Sequence, residues 1–328
     1  MENQNPAPSK ELPKLLILRP PHIITLFENQ FSDRFQLLKP WESPIPTDQF
    51  LDMYCTSIEA MLISGRTPVP AEILRRLPSL RFIATTSAGL NHIDLPECRR
   101  RGISVVNAGS EYSEDVADMA VVLLIDVLRR ITAANRYVRA GVWPIKGDYP
   151  LGSKLAGKRV GIIGLGSIGL EVAKRLEAFG CSISYNSRKK KPSVPFTFYD
   201  NVCDLATNCD VIVLCCALTD QTRHMINKEV LLALGKEGVI INVARGPVID
   251  EKELVRCLVE GEIAGAGLDV FENEPQVPEE LRALDNVVLS PHRAVLTNES
   301  LWDLCQLMLG NLEAFFSNKP LLSLVVDE

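Results

Sequence analysis

The chain has 328 residues, 46% hydrophobic and 23% charged, which is room for two ordinary globular domains with ample cores. Its formal net charge of −6 argues against nucleic acid as the main partner, because phosphate binding calls for a basic surface. Nine cysteines, none in CxxC spacing, fit reduced thiols in a cytosol-like compartment rather than a disulfide framework.

Residues 1–10 are polar and proline-containing, without the apolar core of a signal peptide or an anchor. No apolar run reaches the length of a membrane span, and the ending Val325-Val-Asp-Glu328 is not a peroxisomal address, so the expected compartment is the cytoplasm. Short β-branched runs then alternate with helix-period segments, the pattern of βαβ units and a parallel sheet. The first strands are predicted at Leu15–Leu18, Ala60–Ser64, Arg81–Thr85 and Ser104–Val106. Helices are predicted at Ala71–Arg76, just after Pro70, and at Pro96–Arg101, just before Gly102. One long helical segment runs from about Glu114 to Ala140, apolar almost all round in its first half and so expected between layers. Gly141 to Gly157, with Trp143, reads as a loop.

A second doubly wound unit begins at Lys158. Its strands are predicted at Arg159–Ile163, Ser182–Asn186, Val211–Cys215, Val239–Val243, Gly265–Val270 and Val287–Ser290. Its helices are Ile168–Phe179, Asn227–Leu234 and Glu251–Glu260, with His224 opening a helical segment, and a last helix runs from about Thr297 to Phe316.

The sharpest local motif is Gly164-Leu165-Gly166-Ser167-Ile168-Gly169, between a β-branched strand and an amphipathic helix. In that context the glycines permit a tight turn, a close backbone approach to a pyrophosphate and close helix–strand packing, with free N–H groups at the helix start. The next strand ends in Asn186-Ser187-Arg188-Lys189-Lys190-Lys191, without the acid that binds a ribose 2′-hydroxyl. An acid would repel a 2′-phosphate, whereas Ser187, Arg188 and Lys189 can bind one through charge-assisted hydrogen bonds. A solvated basic loop is the alternative; the position at this strand end favours NADPH (NADP+) as cofactor.

Only four histidines are available for acid–base work. His292 follows Pro291 at the end of a strand, where ligands gather in open α/β sheets. Arg245 follows Ile241-Asn-Val-Ala244, and Glu274 lies just past Gly265–Val270. Three such groups, each beyond a strand of one sheet, form a candidate catalytic set; His22, His92 and His224 read as structural. No His, Cys and carboxylate cluster has metal-ligand spacing.

These residues, with Leu218-Thr-x-x-Thr222, Ile241-Asn-Val-Ala-Arg245-Gly246, Gly267-Leu-Asp269-Val-Phe and Ser290-Pro-His292-Arg-Ala, resemble the D-isomer-specific 2-hydroxyacid dehydrogenases over almost the whole chain. The chain also resembles plant glyoxylate/hydroxypyruvate and hydroxyphenylpyruvate reductases, for which the Asn-Ser-Arg-Lys run after the second strand is typical. The resemblance implies an α/β fold of two doubly wound parallel-sheet (Rossmann-like) domains with a cleft between them. The substrate domain would be discontinuous, 1–108 and 290–328, and the NADP-binding domain would span 109–289. On the same resemblance His292 is the proton donor, Glu274 its partner and Arg245 the substrate-orienting arginine. Asp269 lies near the nicotinamide carboxamide, and Cys216, Thr222, Val243, Ala244 and Ala294 are further cofactor contacts. The turn Ser87-Ala88-Gly89-Leu90 receives the substrate carboxylate, with Arg245 and His292 completing the substrate contacts. Asn91 departs from the Asp that relatives often carry there.

The implied activity is NADPH-dependent reduction of a small 2-oxoacid to the D-2-hydroxyacid. Glu274 beside His292 favours the imidazolium, so reduction should weaken as pH rises and alcohol oxidation should do the opposite. Substrate preference would follow from side chains around Ser64-Gly65, Leu90 and the Trp143 loop. A homodimer is implied, packed through Asp115–Arg130 and the Trp143 loop, with no nucleic-acid or membrane partner. The alternatives are an NADP(H)-sensing, corepressor-like binding module with little turnover and an NAD-linked dehydrogenase running toward oxidation.

Overall fold

The computed structural model describes residues 11–325; the N-terminal segment 1–10 and the three C-terminal residues, read above for leader and address signals, lie outside the described residues. Among the described residues no helix is long and apolar enough to cross a membrane. The chain divides into two units, one running to Glu111 and resuming at Asn298, the other Tyr112–Thr297.

In the first unit five strands, β1 (Lys14–Ile17), β2 (Gln36–Leu38), β3 (Ala60–Ile63), β4 (Phe82–Thr85) and β5 (Ser104–Val106), form a parallel sheet in the order β2-β1-β3-β4-β5. Every residue of β3 and β4 is buried, which is why their sequences are unbroken apolar runs rather than alternating ones. Helices α1 (His22–Ser32), α2 (Thr47–Tyr54), α3 (Ala71–Arg76) and α4 (Leu95–Arg101) connect the strands. The ends of α4 are legible: the Asp94 side chain accepts the Glu97 N–H, and Gly102 closes the helix at φ 68°. Leu74, Leu77 and Cys98 pack with Leu16, Met61, Ile63 and Ile83 into one core. The last helix of the chain, Asn298–Phe316, returns to this sheet and stacks Phe315 on Phe82 with ring centroids 4.7 Å apart. The sequence reading leaves the stretch between Leu18 and Ala60 without elements, whereas α1, β2 and α2 occupy it. Both helices start after a proline with no side-chain cap, and β2 is three residues long with one buried, so local signals are faint.

The second unit holds seven strands: β6 (Arg159–Ile163), β7 (Ser182–Asn186), β8 (Thr197–Phe198), β9 (Val211–Leu214), β10 (Val239–Asn242), β11 (Gly265–Leu268) and β12 (Val287–Leu289). All pair in parallel, in the order β12-β11-β10-β9-β6-β7-β8. The chain direction across the sheet reverses between β6 and β9, the switch point outside which ligands bind in such sheets. Its helices are α5 (Ser113–Arg129), α6 (Ile131–Arg139), α7 (Trp143–Lys146), α8 (Ser167–Ala178), α9 (Val202–Thr207), α10 (Lys228–Leu234), α11 (Glu251–Val259) and α12 (Glu279–Ala283). β8, α7, α9 and α12 are short elements absent from the sequence reading.

The structure departs from the sequence-based expectation at three points. The long helix of 114–140 breaks at Arg130, which adopts φ 55°. The cause is Asp126, whose carboxylate takes the Thr132 N–H at 2.8 Å and the Thr132 hydroxyl at 2.5 Å, capping a new helix. His224 does not open a helix; it lies in a turn at φ 50°, and α10 starts only at Lys228 after the capping Asn227. The return to the first unit comes at Asn298 rather than residue 290, because the 290–297 segment is bound to the second unit. Asp269 takes the Arg293 and Ala294 N–H groups at 2.8 and 3.1 Å, and Asp115 takes the Thr297 hydroxyl at 2.7 Å.

Candidate active site

The glycine turn after β6 is held at the switch point by backbone alone. The Gly164 N–H donates to the Asn186 carbonyl at the end of β7 (2.9 Å), which brings Ser187–Lys189 beside the turn. Gly164 sits at φ 91°, and a Cβ there would fall 2.6 Å from Cys216 backbone, so only glycine fits. A Cβ on Gly169 would meet the Gly164 carbonyl oxygen at 2.2 Å, whereas one on Gly166 would meet nothing within 4 Å. The middle glycine therefore borders open space at the start of α8, as close approach of a pyrophosphate requires. Among the described residues, the N–H groups of Leu165, Gly166, Ser167 and Ile168 are given to no acceptor. This turn fits a dinucleotide.

Asn186 is buried, and its amide holds the Tyr199 and Asp200 carbonyls at 2.9 and 3.2 Å, fixing the strand end from which the basic loop departs. Ser187 Oγ donates to the Lys189 carbonyl (2.7 Å), and the side chains of Arg188, Lys189 and Lys190 are exposed. The remaining expected cofactor residues lie past the carboxyl ends of the same sheet. Cys216 follows β9 and lies against Gly164, and burial pushes its thiol up to about 11. The Thr222 hydroxyl is engaged within its own turn, donating to the Ala217 carbonyl at 2.7 Å. Val243 and Ala244 are buried after β10, and Ala294 is buried two residues after His292.

The expected catalytic groups come together on three loops of one sheet. His292 Nδ1 lies 2.8 Å from Glu274 Oε2, and the other Glu274 oxygen accepts the Phe271 N–H at 3.2 Å. A carboxylate on Nδ1 fixes that nitrogen as the donor and leaves Nε2 as the ring's other proton site. His292 has φ 54°, a left-handed backbone that non-glycine residues rarely adopt. It is over-determined: the His292 N–H donates to the carbonyls of Asp269 and Ser290, and the fully buried Asp269 carboxylate binds the next two N–H groups. Asp269 thus holds the histidine's backbone, an observed role that the sequence reading did not assign.

Arg245 leaves β10 through a turn organised by Asn242, whose buried amide accepts the Ala244 N–H (3.0 Å) and donates to the Arg245 carbonyl (3.1 Å). Its guanidinium donates to the Ala244 carbonyl at 2.6 Å. Burial lowers the Arg245 guanidinium from its ordinary value, and the Glu274 charge acts the other way. A partly desolvated cation of this kind attracts an anion more strongly than a solvated one does.

The turn Ser87–Gly89 belongs to the first unit, after β4. Its carbonyls are tied back, Ser87 accepting the Ala108 N–H (3.2 Å) and Ala88 the Asn107 amide (2.9 Å). Among the described residues, the N–H groups of Ala88 and Gly89 are given to no acceptor. Gly65 approaches Ser87 so closely that a Cβ would fall 2.8 Å from its hydroxyl oxygen. His92 is bonded to the Thr85 hydroxyl at 3.0 Å. Among the described residues no group of His, Cys, Asp or Glu could hold a metal ion.

Residues 121–294 match the family of the D-isomer specific 2-hydroxyacid dehydrogenase, NAD binding domain. The chain is 57% identical to glyoxylate/hydroxypyruvate reductase HPR3 of Arabidopsis thaliana over 317 residues, 97% of this chain and 98% of that protein. It is 49% identical to hydroxyphenylpyruvate reductase of Plectranthus scutellarioides over 302 residues, 92% and 96% of the two chains. Among solved structures, NADPH-dependent glyoxylate/hydroxypyruvate reductase of Sinorhizobium meliloti, in complex with NADP and malonate, superposes with a TM-score of 0.87 at 34% identity, covering 96% and 97%. The glycine turn, the strand order and the Arg, Glu and His loops are all found in a chain related to these reductases along nearly its full length, and the chain belongs to the D-isomer specific 2-hydroxyacid dehydrogenases, an oxidoreductase family with an NAD(P)-binding domain.

Proposed function

We propose that this protein is an NADPH-dependent reductase of small 2-oxoacids of the glyoxylate, hydroxypyruvate and hydroxyphenylpyruvate type, giving the D-2-hydroxyacid. The observation that carries the reading is the His292–Glu274 pair at 2.8 Å, on the same sheet as the basic loop beside the glycine turn. NADPH, when bound, supplies the hydride. Leu165–Ile168 offer N–H groups to its pyrophosphate, and Ser187, Arg188 and Lys189 take the 2′-phosphate. Thr222, Val243, Ala244, Asp269, Ala294 and Cys216 line the rest of the dinucleotide's path.

The substrate carboxylate is received by the N–H groups of Ala88 and Gly89 in the Ser87–Gly89 turn and by Arg245. Arg245 also stabilises the negative charge that grows on the carbonyl oxygen, and His292 delivers a proton to it from Nε2 while Glu274 stabilises the charged ring. The cytoplasm is the proposed compartment. We further propose a homodimer, supported by the exposed apolar side chains Val122, Ile131, Val138, Trp143, Ile145 and Leu151 along α5, α6, α7 and the following loop.

The test is oxidation of NADPH and NADH with glyoxylate, hydroxypyruvate and 4-hydroxyphenylpyruvate. Arg188→Ala is expected to weaken NADPH about tenfold or more, at ~1.5–3 kcal/mol for a charge-assisted hydrogen bond, and to leave NADH unchanged. His292→Ala is expected to lower kcat about 10²–10⁴-fold. Tight NADPH binding without turnover of any 2-oxoacid would instead support the sensor alternative.

A further inference from the structure

The loop after β11 carries two glutamates two residues apart, and each meets a different histidine. Glu274 pairs with His292, while Glu272 Oε1 lies 2.8 Å from His224 Nε2. His224 comes from the loop after β9, 48 residues away in sequence, and holds a left-handed backbone at φ 50°. Its N–H donates to the Pro247 carbonyl (2.8 Å) in the single turn Gly246–Val248 that directly follows Arg245. On the other side, the Glu272 N–H donates to Glu251 at the start of α11 (3.0 Å). Burial, joined by the charge of Glu272, pushes the Glu251 carboxyl above its ordinary range, although that N–H works against the shift. A Cβ on Gly246 would lie 1.9 Å from the Phe271 carbonyl carbon and oxygen, so the Arg245 turn and the Phe271–Glu272 peptide touch directly. The N–H that orients Glu274 belongs to Phe271, in this same contact.

We propose that His224 and Glu272 are positioning residues: their hydrogen bond clamps the Phe271–Glu274 loop against the Arg245 turn, so that Glu274 meets His292 in one arrangement. The inference rests on His292 being the proton donor of the proposed reductase. The His224 side chain is 41% exposed and the pair adds little to global stability. Its effect is geometric, because a small displacement of a catalytic group costs far more in rate than in folding.

His224→Asn tests this, since Asn tolerates a left-handed backbone yet is too short to reach Glu272. His224→Asn and Glu272→Ala are each expected to lower kcat about tenfold while the KM for NADPH stays within about twofold. Glu272→Gln, which can keep the hydrogen bond, should stay near wild type. In a Glu274→Gln background His224→Asn should add little, because both act through one carboxylate.

Ring-nitrogen NMR of His292 needs no turnover. Its hydrogen-bonded Nδ1 signal is expected in the wild type and in Glu272→Gln, and broadened or lost in His224→Asn. An unchanged His292 signal in His224→Asn overturns the clamp whatever the rate, as does an undiminished effect of His224→Asn in the Glu274→Gln background. A wild type that turns over no 2-oxoacid overturns the reductase reading alone, and the NMR comparison still decides the clamp.

Discussion

His292 sits in a backbone conformation that costs on the order of 1–3 kcal/mol outside glycine. Asp269 and the Ser290 carbonyl hold it there, and the ring then meets Glu274. The pH dependence follows from the proton balance. On the proposed mechanism reduction draws its proton from His292, so its rate is expected to fall as pH rises, while oxidation of the 2-hydroxyacid rises over the same range. Rate–pH profiles in both directions at saturating cofactor check this, and a reduction rate that climbs with pH would exclude His292 as donor. At this scale His292, Glu274 and Arg245 were legible because each is an ionisable group just past an apolar strand. His224 and Glu272 were not, since neither has a local signature and their meeting needs three loops brought together.

At the scale of elements, β6 and β9 are fastened where both begin. Asp210 takes the Arg159 N–H at 2.8 Å and the guanidinium at 2.7 and 3.2 Å. The hydrogen bond from the Arg159 side chain, against the opposing effect of burial, holds the Asp210 carboxyl below its ordinary 3.8. A carboxyl lowered by folding stabilises above its unfolded value and loses that contribution as pH falls through the folded one. Asp210→Asn is therefore expected to lower Tm at pH 7 by about 2 °C, for roughly 0.5–1 kcal/mol in a partly exposed pair. The deficit should close as the pH drops below 3.8, and thermal melts across pH 2–7 measure it. The strands were legible for the reason they are buried on both faces. The break at Arg130 was not, because α5 and α6 read as one apolar-periodic run and the Asp126–Thr132 cap spans six residues of it.

On the scale of the molecule, the second unit is one continuous stretch, Tyr112–Thr297, with its own sheet and core. A fragment of those residues is expected to fold and to bind NADPH within about tenfold of the full chain, and, on the proposal that the Ser87–Gly89 turn receives the substrate carboxylate, to turn over no 2-oxoacid. Calorimetric titration of the fragment tests this, and a folded fragment that ignores NADPH would remove the dinucleotide site from this unit. The proposed dimer has its own test. Ile145 and Leu151 are 82% and 94% exposed, and aspartate at both positions is expected to turn a dimer into a monomer by light scattering.

The sequence by itself determined the two parallel sheets, the glycine turn, the basic loop after β7 and the three ionisable groups past strand ends. Those features are written in short-range periodicity, in glycine where no Cβ fits, and in spacing from a strand. Only the tertiary structure decided that Asp269 holds the backbone of His292, that the return to the first unit waits until Asn298, and that Glu272 and Glu274 each take a histidine. Such contacts join residues tens of positions apart, and their geometry exists only once the strands are in register and the loops beyond them share the carboxyl end of the sheet.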